Sequence, residues 1–334
     1  MNMKKWLADV IAADKKTALP ILSFPAAREL GLNINDVVDS AELQAECMAK
    51  IAEKYHMAAA VTPMDLSVEA ECFGAKLRRS EKDVPAVHEG IIDDIEDAED
   101  IAVPEIGSGR TGIFIDAVRI AKEKITDRPV FAGVIGPYSL AGRLMDFTEI
   151  MYACYDDPDC VHVLLEKATQ FIVNYIDAFK NAGADGVILA EPLAGLLSPA
   201  LADEFSCEYV KKIAEVCQSD DFIIIYHNCG NAAGLMIKEI ARTGCAAYHF
   251  GNAVDIKAAI EFIPADAPCM GNIDPAGEFK NGTPESIKKA TIELMESMKE
   301  HRNFVISSGC DIPMAAKDEN IQAFFDAVEE YYGN

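Results

Sequence analysis

Short apolar runs alternate with longer stretches of helical periodicity along almost the whole chain. The clearest run is Phe222-Ile223-Ile224-Ile225-Tyr226, whose length and β-branched content predict a fully buried strand. Residues 130–135, 186–190, 246–250, 268–271 and 304–308 read the same way, and 20–24 and 57–62 add two more near the start. Between them, apolar positions recur at helical spacing over 40–55, 111–125, 159–181, 235–243 and 319–331. Ser198-Pro199 and Thr283-Pro284 each place a capping hydroxyl before a proline, the start signal of a helix. About eight strands, each followed by a helix or by room for one, predict a parallel sheet. Eight such units fit a single-domain (β/α)8 TIM barrel over residues 1–334, with an open doubly wound sheet as the other arrangement. No internal repeat, low-complexity tract or linker interrupts the pattern.

Composition narrows the function classes. The 334 residues carry a formal net charge of −25, which argues against nucleic acid or an anionic membrane as partner, since both need a basic footprint. No apolar run is long enough to cross a bilayer, and no secretion signal precedes the first helix. The ten cysteines then read as reduced thiols of a cytoplasmic protein. Cys47, Cys160 and Cys217 fall inside helical patterns and read as packing residues. The acid run Asp93–Asp100 reads as a solvated helical face.

The candidate chemistry sits where strands end. The run at 222–226 passes into His227-Asn228-Cys229-Gly230. Residues two apart project from the same face, so His227 and Cys229 point together, and imidazole and thiolate are ligands that zinc favours. Cys310 follows another strand and a glycine. A barrel gathers all strand C-termini on one face, so Cys310 is the candidate third ligand. Glu191, directly after the run at 186–190, is a candidate fourth ligand that leaves when substrate arrives. Without a wider frame, His-x-Cys is equally compatible with a half-buried pair that binds nothing.

Five segments together supply that frame: Val130-Phe131-Ala132-Gly133-Val134-Ile135-Gly136-Pro137; Ala190-Glu191-Pro192 with Leu197-Ser198-Pro199; His227-Asn228-Cys229-Gly230; Gly271-Asn272-Ile273-Asp274-Pro275; and Gly309-Cys310-Asp311-Ile312-Pro313. In this order they resemble the uroporphyrinogen decarboxylase superfamily, and within it the branch of methylcobamide:coenzyme M methyltransferases. The resemblance runs from about residue 20 to the C-terminus. It implies a TIM barrel whose zinc is held by His227, Cys229 and Cys310, a small thiol such as coenzyme M as acceptor, and a methylcobamide, on a separate corrinoid protein, as donor. Homocysteine or a pterin is a further acceptor within the resemblance. Coordination by zinc turns a protonated thiol into a thiolate that stays polarizable, and two cysteine ligands keep that sulfur electron-rich.

The sister activity, decarboxylation of uroporphyrinogen, uses no metal. It relies on a paired-arginine loop, of which this chain has only Arg28, and on an aspartate whose place Asp65 fits. A barrel that binds corrinoid or metal without catalysis is the third reading. Asp65 and Glu69 are expected to line the pocket or to form a solvated acidic loop. Tyr138 is expected against the corrinoid or in the barrel wall, and Asn272 and Asp274 at the pocket or in ordinary turn chemistry. Arg28, Arg78, Arg79 and Arg143 are the candidate partners of an acceptor's sulfonate. His249 is expected as a supporting or core histidine rather than a ligand.

Overall fold

The computed structural model describes residues 1–333. The apolar runs become seven parallel strands paired in chain order: β1 Ala60–Val61, β2 Val130–Ile135, β3 Gly186–Ala190, β4 Ile223–Asn228, β5 Ala247–Phe250, β6 Cys269–Ile273 and β7 Phe304–Ser308. Every one follows an expected run, and β2, β3 and β7 keep the expected ends. Both faces of the sheet are covered, which is why the strands read as continuous apolar runs rather than as alternating ones.

The eighth place is filled irregularly. Residues 20–24 do not form the expected strand. Pro20 has no N–H to offer a ladder, and a short helix, Pro25–Glu29, begins directly afterwards. The pairing falls instead to the residues just before. Leu19 N–H donates to Ile306 O at 3.1 Å, and Ala18 O accepts from Ala58 N–H at 2.9 Å. The segment is thus tied to β7 on one side and to the lead-in of β1 on the other, and the sheet closes as a (β/α)8 barrel.

Alternation sorts the side chains. Phe131, Ile188, Ile225, Ala247, Met270 and Val305 fill the interior, while Ile224, Tyr226, Tyr248 and Ile306 pack outward against the helices. A helix not apparent in the sequence pattern, Met3–Ala12, closes the end of the barrel where the strands begin. Met3 and Leu7 join the interior cluster, and the Trp6 ring meets Phe131 edge-on at 5.7 Å. The expected helices stand around the barrel as Ala41–Lys54, Thr111–Lys124, Pro158–Asn181, Pro284–Ser297 and Asp318–Tyr331. Thr283 caps one of them as expected, and Ser40 caps another, each accepting from a backbone N–H three residues on. The acid run forms Ile95–Asp100, with its carboxylates exposed and Ala98 turned inward.

Two departures bear on the site. Between β2 and β3 the chain inserts Pro137–Met145 and Phe147–Asp156 at the C-terminal end of the barrel. The helix that opens at Pro199 passes through a π turn, Asp203–Cys207, before continuing as Glu208–Cys217. That widened turn carries Ser206 to within 3.2 Å of Glu191 Oε1.

Candidate metal centre

His227 is the fifth residue of β4, and the alternation that sends Ile223 and Ile225 inward sends it inward too. Cys229 follows the strand's last residue, and Cys310 lies two residues beyond β7. The structure brings these three together as expected. Cys310 Sγ lies 3.5 Å from His227 Nε2 and 3.6 Å from Cys229 Sγ, and the three donor atoms all lie within 4.8 Å of one another.

The donor set fits zinc. Bond lengths of about 2.3 Å to sulfur and about 2.0 Å to nitrogen imply tetrahedral edges of about 3.8 Å between sulfurs and about 3.5 Å between sulfur and nitrogen. Electrostatics favour a cation here as well. The two half-buried thiols are coupled: the S–H of Cys310 draws the Cys229 thiol below its ordinary range, and Cys229 with burial pushes Cys310 up to about 12. Only a positive charge between them would hold both as thiolates.

The three groups border a cavity of about 100 Å³, walled on its apolar side by Ile21, Met64, Leu66, Ala190 and Pro192. Asp311 lines it too. Its Oδ1 is buried without a hydrogen-bond partner, and burial beside Cys310 raises its carboxyl well above the usual range. Asp311 was legible only as the neighbour of Cys310, because aspartate after a strand is common in turns.

The other candidates lie elsewhere, each for a visible reason. Glu191 is completely buried and turned away from the cysteines. Its Oε1 accepts from Tyr138 N–H at 2.9 Å, and its Oε2 from Ser139 N–H at 2.9 Å and Ser139 Oγ at 2.6 Å. It therefore serves the N-terminus of helix Pro137–Met145, and the expected displaceable ligand is not found in this arrangement. Gly136 makes room for it: a β-carbon there would fall 2.2 Å from Glu191 Cγ. Burial still pushes the Glu191 carboxyl up to about 7.

Tyr138 is wholly buried, its hydroxyl 3.8 Å from Cys154 Sγ, so it is a wall aromatic and not a corrinoid contact. Asp65 pairs with Arg110 and accepts from Ser67 N–H and Oγ, which leaves it no free oxygen for substrate chemistry. Asn272 donates to Gly251 O and Val254 O, holding the loop after β5. Asp274 caps the turn that follows it through Ala276 and Gly277 N–H, as ordinary turn chemistry. Arg28 donates to Met314 O and Ala316 O and pairs with Asp318, tying the Pro25–Glu29 helix to the chain beyond β7. Arg79 pairs with Asp39. Among the described residues Arg143 alone of the four candidate arginines is buried at Nε without a partner. It lines a separate cavity of about 140 Å³ with His88, Gly142 and Leu193. Glu69 is buried rather than solvated: Oε1 accepts from Ile135 N–H, and burial pushes its carboxyl up to about 7.

His249 lies beside His227 in register on β5, completely buried, with its Nδ1 2.8 Å from His227 Nδ1. Its Nε2 is 2.8 Å from Ser307 Oγ. Burial drives its pKa well below the ordinary value, so it is a neutral imidazole.

The chain is similar to several known proteins. The family described as uroporphyrinogen decarboxylase (URO-D) matches residues 20–331. Proteins named methylcobamide:CoM methyltransferase MtbA from Methanosarcina mazei and Methanosarcina acetivorans are 30% and 29% identical over 300 residues, covering 87% of this chain and 86% of each relative. A Coxiella burnetii protein named uroporphyrinogen decarboxylase is 28% identical over 305 residues, covering 87% of this chain and 82% of its own length. Among solved structures, a methyltransferase from Methanosarcina mazei superposes with a TM-score of 0.88 at 24% identity, each chain fully covered. A B12-independent methionine synthase from Shewanella does so at 0.52 and 12% identity, covering 94% of this chain and 92% of its own. Both structures share the fold.

Proposed function

The chain belongs to the uroporphyrinogen decarboxylase family, and from that premise we propose that it is a zinc-dependent methyltransferase moving a methyl group from a methylated corrinoid to a small thiol. The observation that carries the reading is the convergence of His227, Cys229 and Cys310 beside a cavity. The most similar relatives described above, named for methyl transfer between a methylcobamide and coenzyme M, support it. Decarboxylation would leave the two cysteines and the histidine without a task.

Held by His227, Cys229 and Cys310, Zn²⁺ would supply the Lewis acidity that lets an incoming thiol release its proton to solvent at neutral pH. The apolar wall of Ile21, Met64, Leu66, Ala190 and Pro192 keeps water from competing for the open position and shields the reacting sulfur. The thiolate sulfur would take the methyl carbon, with the carbon–cobalt bond broken and its electron pair left on cobalt. A cavity of about 100 Å³ admits a small thiol and no macrocycle, so the methyl group is offered from a corrinoid lying across the mouth. A corrinoid carried on a separate protein satisfies that geometry, and makes a corrinoid protein the partner. Coenzyme M is the acceptor that the similar relatives suggest. Among the described residues no lysine or arginine borders the cavity, so its sulfonate would extend beyond the cavity toward the mouth.

The experiment is incubation of the zinc-loaded protein with methylcobalamin and a panel of thiols that includes coenzyme M and homocysteine, followed at the cobalamin absorption bands. Thiol-dependent demethylation that disappears in Cys310→Ala is the expected result. Absence of demethylation with every thiol, together with turnover of uroporphyrinogen, would overturn the proposal.

A further inference from the structure

A chain of buried hydrogen bonds runs from the barrel closure to the candidate ligand. Ser307 Oγ lies 2.7 Å from Leu19 O, and a carbonyl only accepts, so the serine proton points at Leu19. The serine lone pair then faces His249 Nε2 at 2.8 Å, and that nitrogen carries a hydrogen. His249 is fully buried and forms no ion pair among the described residues, so it holds a single proton, and its Nδ1 is bare. His227 Nδ1, 2.8 Å away, must then be the donor of that bond. Its other nitrogen, Nε2, is left with a free lone pair, and it is the nitrogen that faces Cys310 Sγ.

We propose that Ser307 and His249 form a one-way relay, anchored on the Leu19 carbonyl, that locks His227 in the tautomer whose Nε2 can bind metal. His249 is a positioning residue: it touches neither metal nor substrate. This rests on the reading of His227, Cys229 and Cys310 as the metal site. Ligating histidines commonly donate their second N–H to a carboxylate or a backbone carbonyl. Here the acceptor is a neutral imidazole whose own polarity is set by a hydroxyl on β7, so it withdraws less of the His227 proton than a carboxylate would. All three side chains alternate to the inward face with Ile225, Ala247 and Val305, and His227 and His249 are in register on adjacent strands.

Two measurements test the relay. In metal-free protein labelled with ¹⁵N-histidine, long-range proton–nitrogen spectra report which ring nitrogen carries hydrogen. His227 is expected as the Nδ1–H tautomer and His249 as the Nε2–H tautomer; the reverse assignment for either ring overturns the proposal. Separately, Zn²⁺ affinity is measured by competition with a chromophoric chelator for wild type, His249→Leu, His249→Asn and Ser307→Ala. Leucine removes the acceptor and should weaken binding about 10- to 100-fold. Asparagine places an oxygen near the position of Nδ1 and should recover most of that loss, and Ser307→Ala should fall between the two. Equal affinity for wild type and His249→Leu would sink the relay alone, whereas wild-type protein that binds no zinc would sink the metal site itself. Matching circular dichroism and melting of the metal-free variants separates a ligand effect from misfolding, and if His249→Leu does not fold, the tautomer spectra of wild type decide.

Discussion

Removing one sulfur from the cluster should separate metal binding from folding. Cys310 lies beyond the end of β7, in no strand or helix, and no core packing depends on it. Cys310→Ala is expected to keep the melting behaviour of metal-free wild type while losing zinc and lowering methyl transfer by more than about 100-fold, read by metal analysis and the methylcobalamin assay. Glu69 gives the contrasting test, on stability. Burial lifts its carboxyl from about 4.5 to about 7, so the fold favours the neutral form. That contribution is complete below about pH 4.5 and is lost as pH rises toward 7. Glu69→Gln cannot ionise, so relative to wild type it should gain up to about 3 kcal/mol between pH 4.5 and pH 8, measured by denaturant unfolding at both values. The clustering of His227, Cys229 and Cys310 was legible because all three follow buried runs, whose ends a barrel gathers on one face. Glu191 and Asp65 lie elsewhere than expected because the same signal, an acid past a strand, also marks residues that hold neighbouring helices and loops together, whereas Tyr138 takes the wall position that was one of its two readings.

At the scale of elements, the tightest joint near the site is between β2 and helix Pro137–Met145. The Glu191 carboxylate occupies the space where Gly136 would have a side chain, and it satisfies the first N–H groups of that helix. Gly136→Ala should therefore overpack the joint and cost about 1–3 kcal/mol in chemical denaturation, with zinc content unchanged if the helix moves alone. Long elements were readable because period and caps agree, as in Ala41–Lys54 behind Ser40 and Pro284–Ser297 behind Thr283. Met3–Ala12, Pro137–Met145 and the irregular closure at 18–22 were not readable. Each is specified by what it packs on across the barrel, and such partners leave no mark in local sequence.

The whole molecule joins distant parts of the chain at one point. His227 within β4, Cys229 just after it and Cys310 beyond β7 meet there, so a metal held by them should stabilise the native state by binding it alone. Stripping zinc with a chelator is expected to lower the wild-type melting temperature by roughly 5 °C or more and to leave Cys310→Ala unmoved, read by thermal unfolding with and without added Zn²⁺. The barrel is closed by Leu19, whose N–H reaches Ile306 and whose carbonyl receives Ser307. A ribosome delivers Leu19 long before Ser307 and Cys310. An ion held by His227, Cys229 and Cys310 would therefore have to wait: until β7 has been made and has returned to the Leu19 segment, His227 and Cys229 offer one sulfur between them.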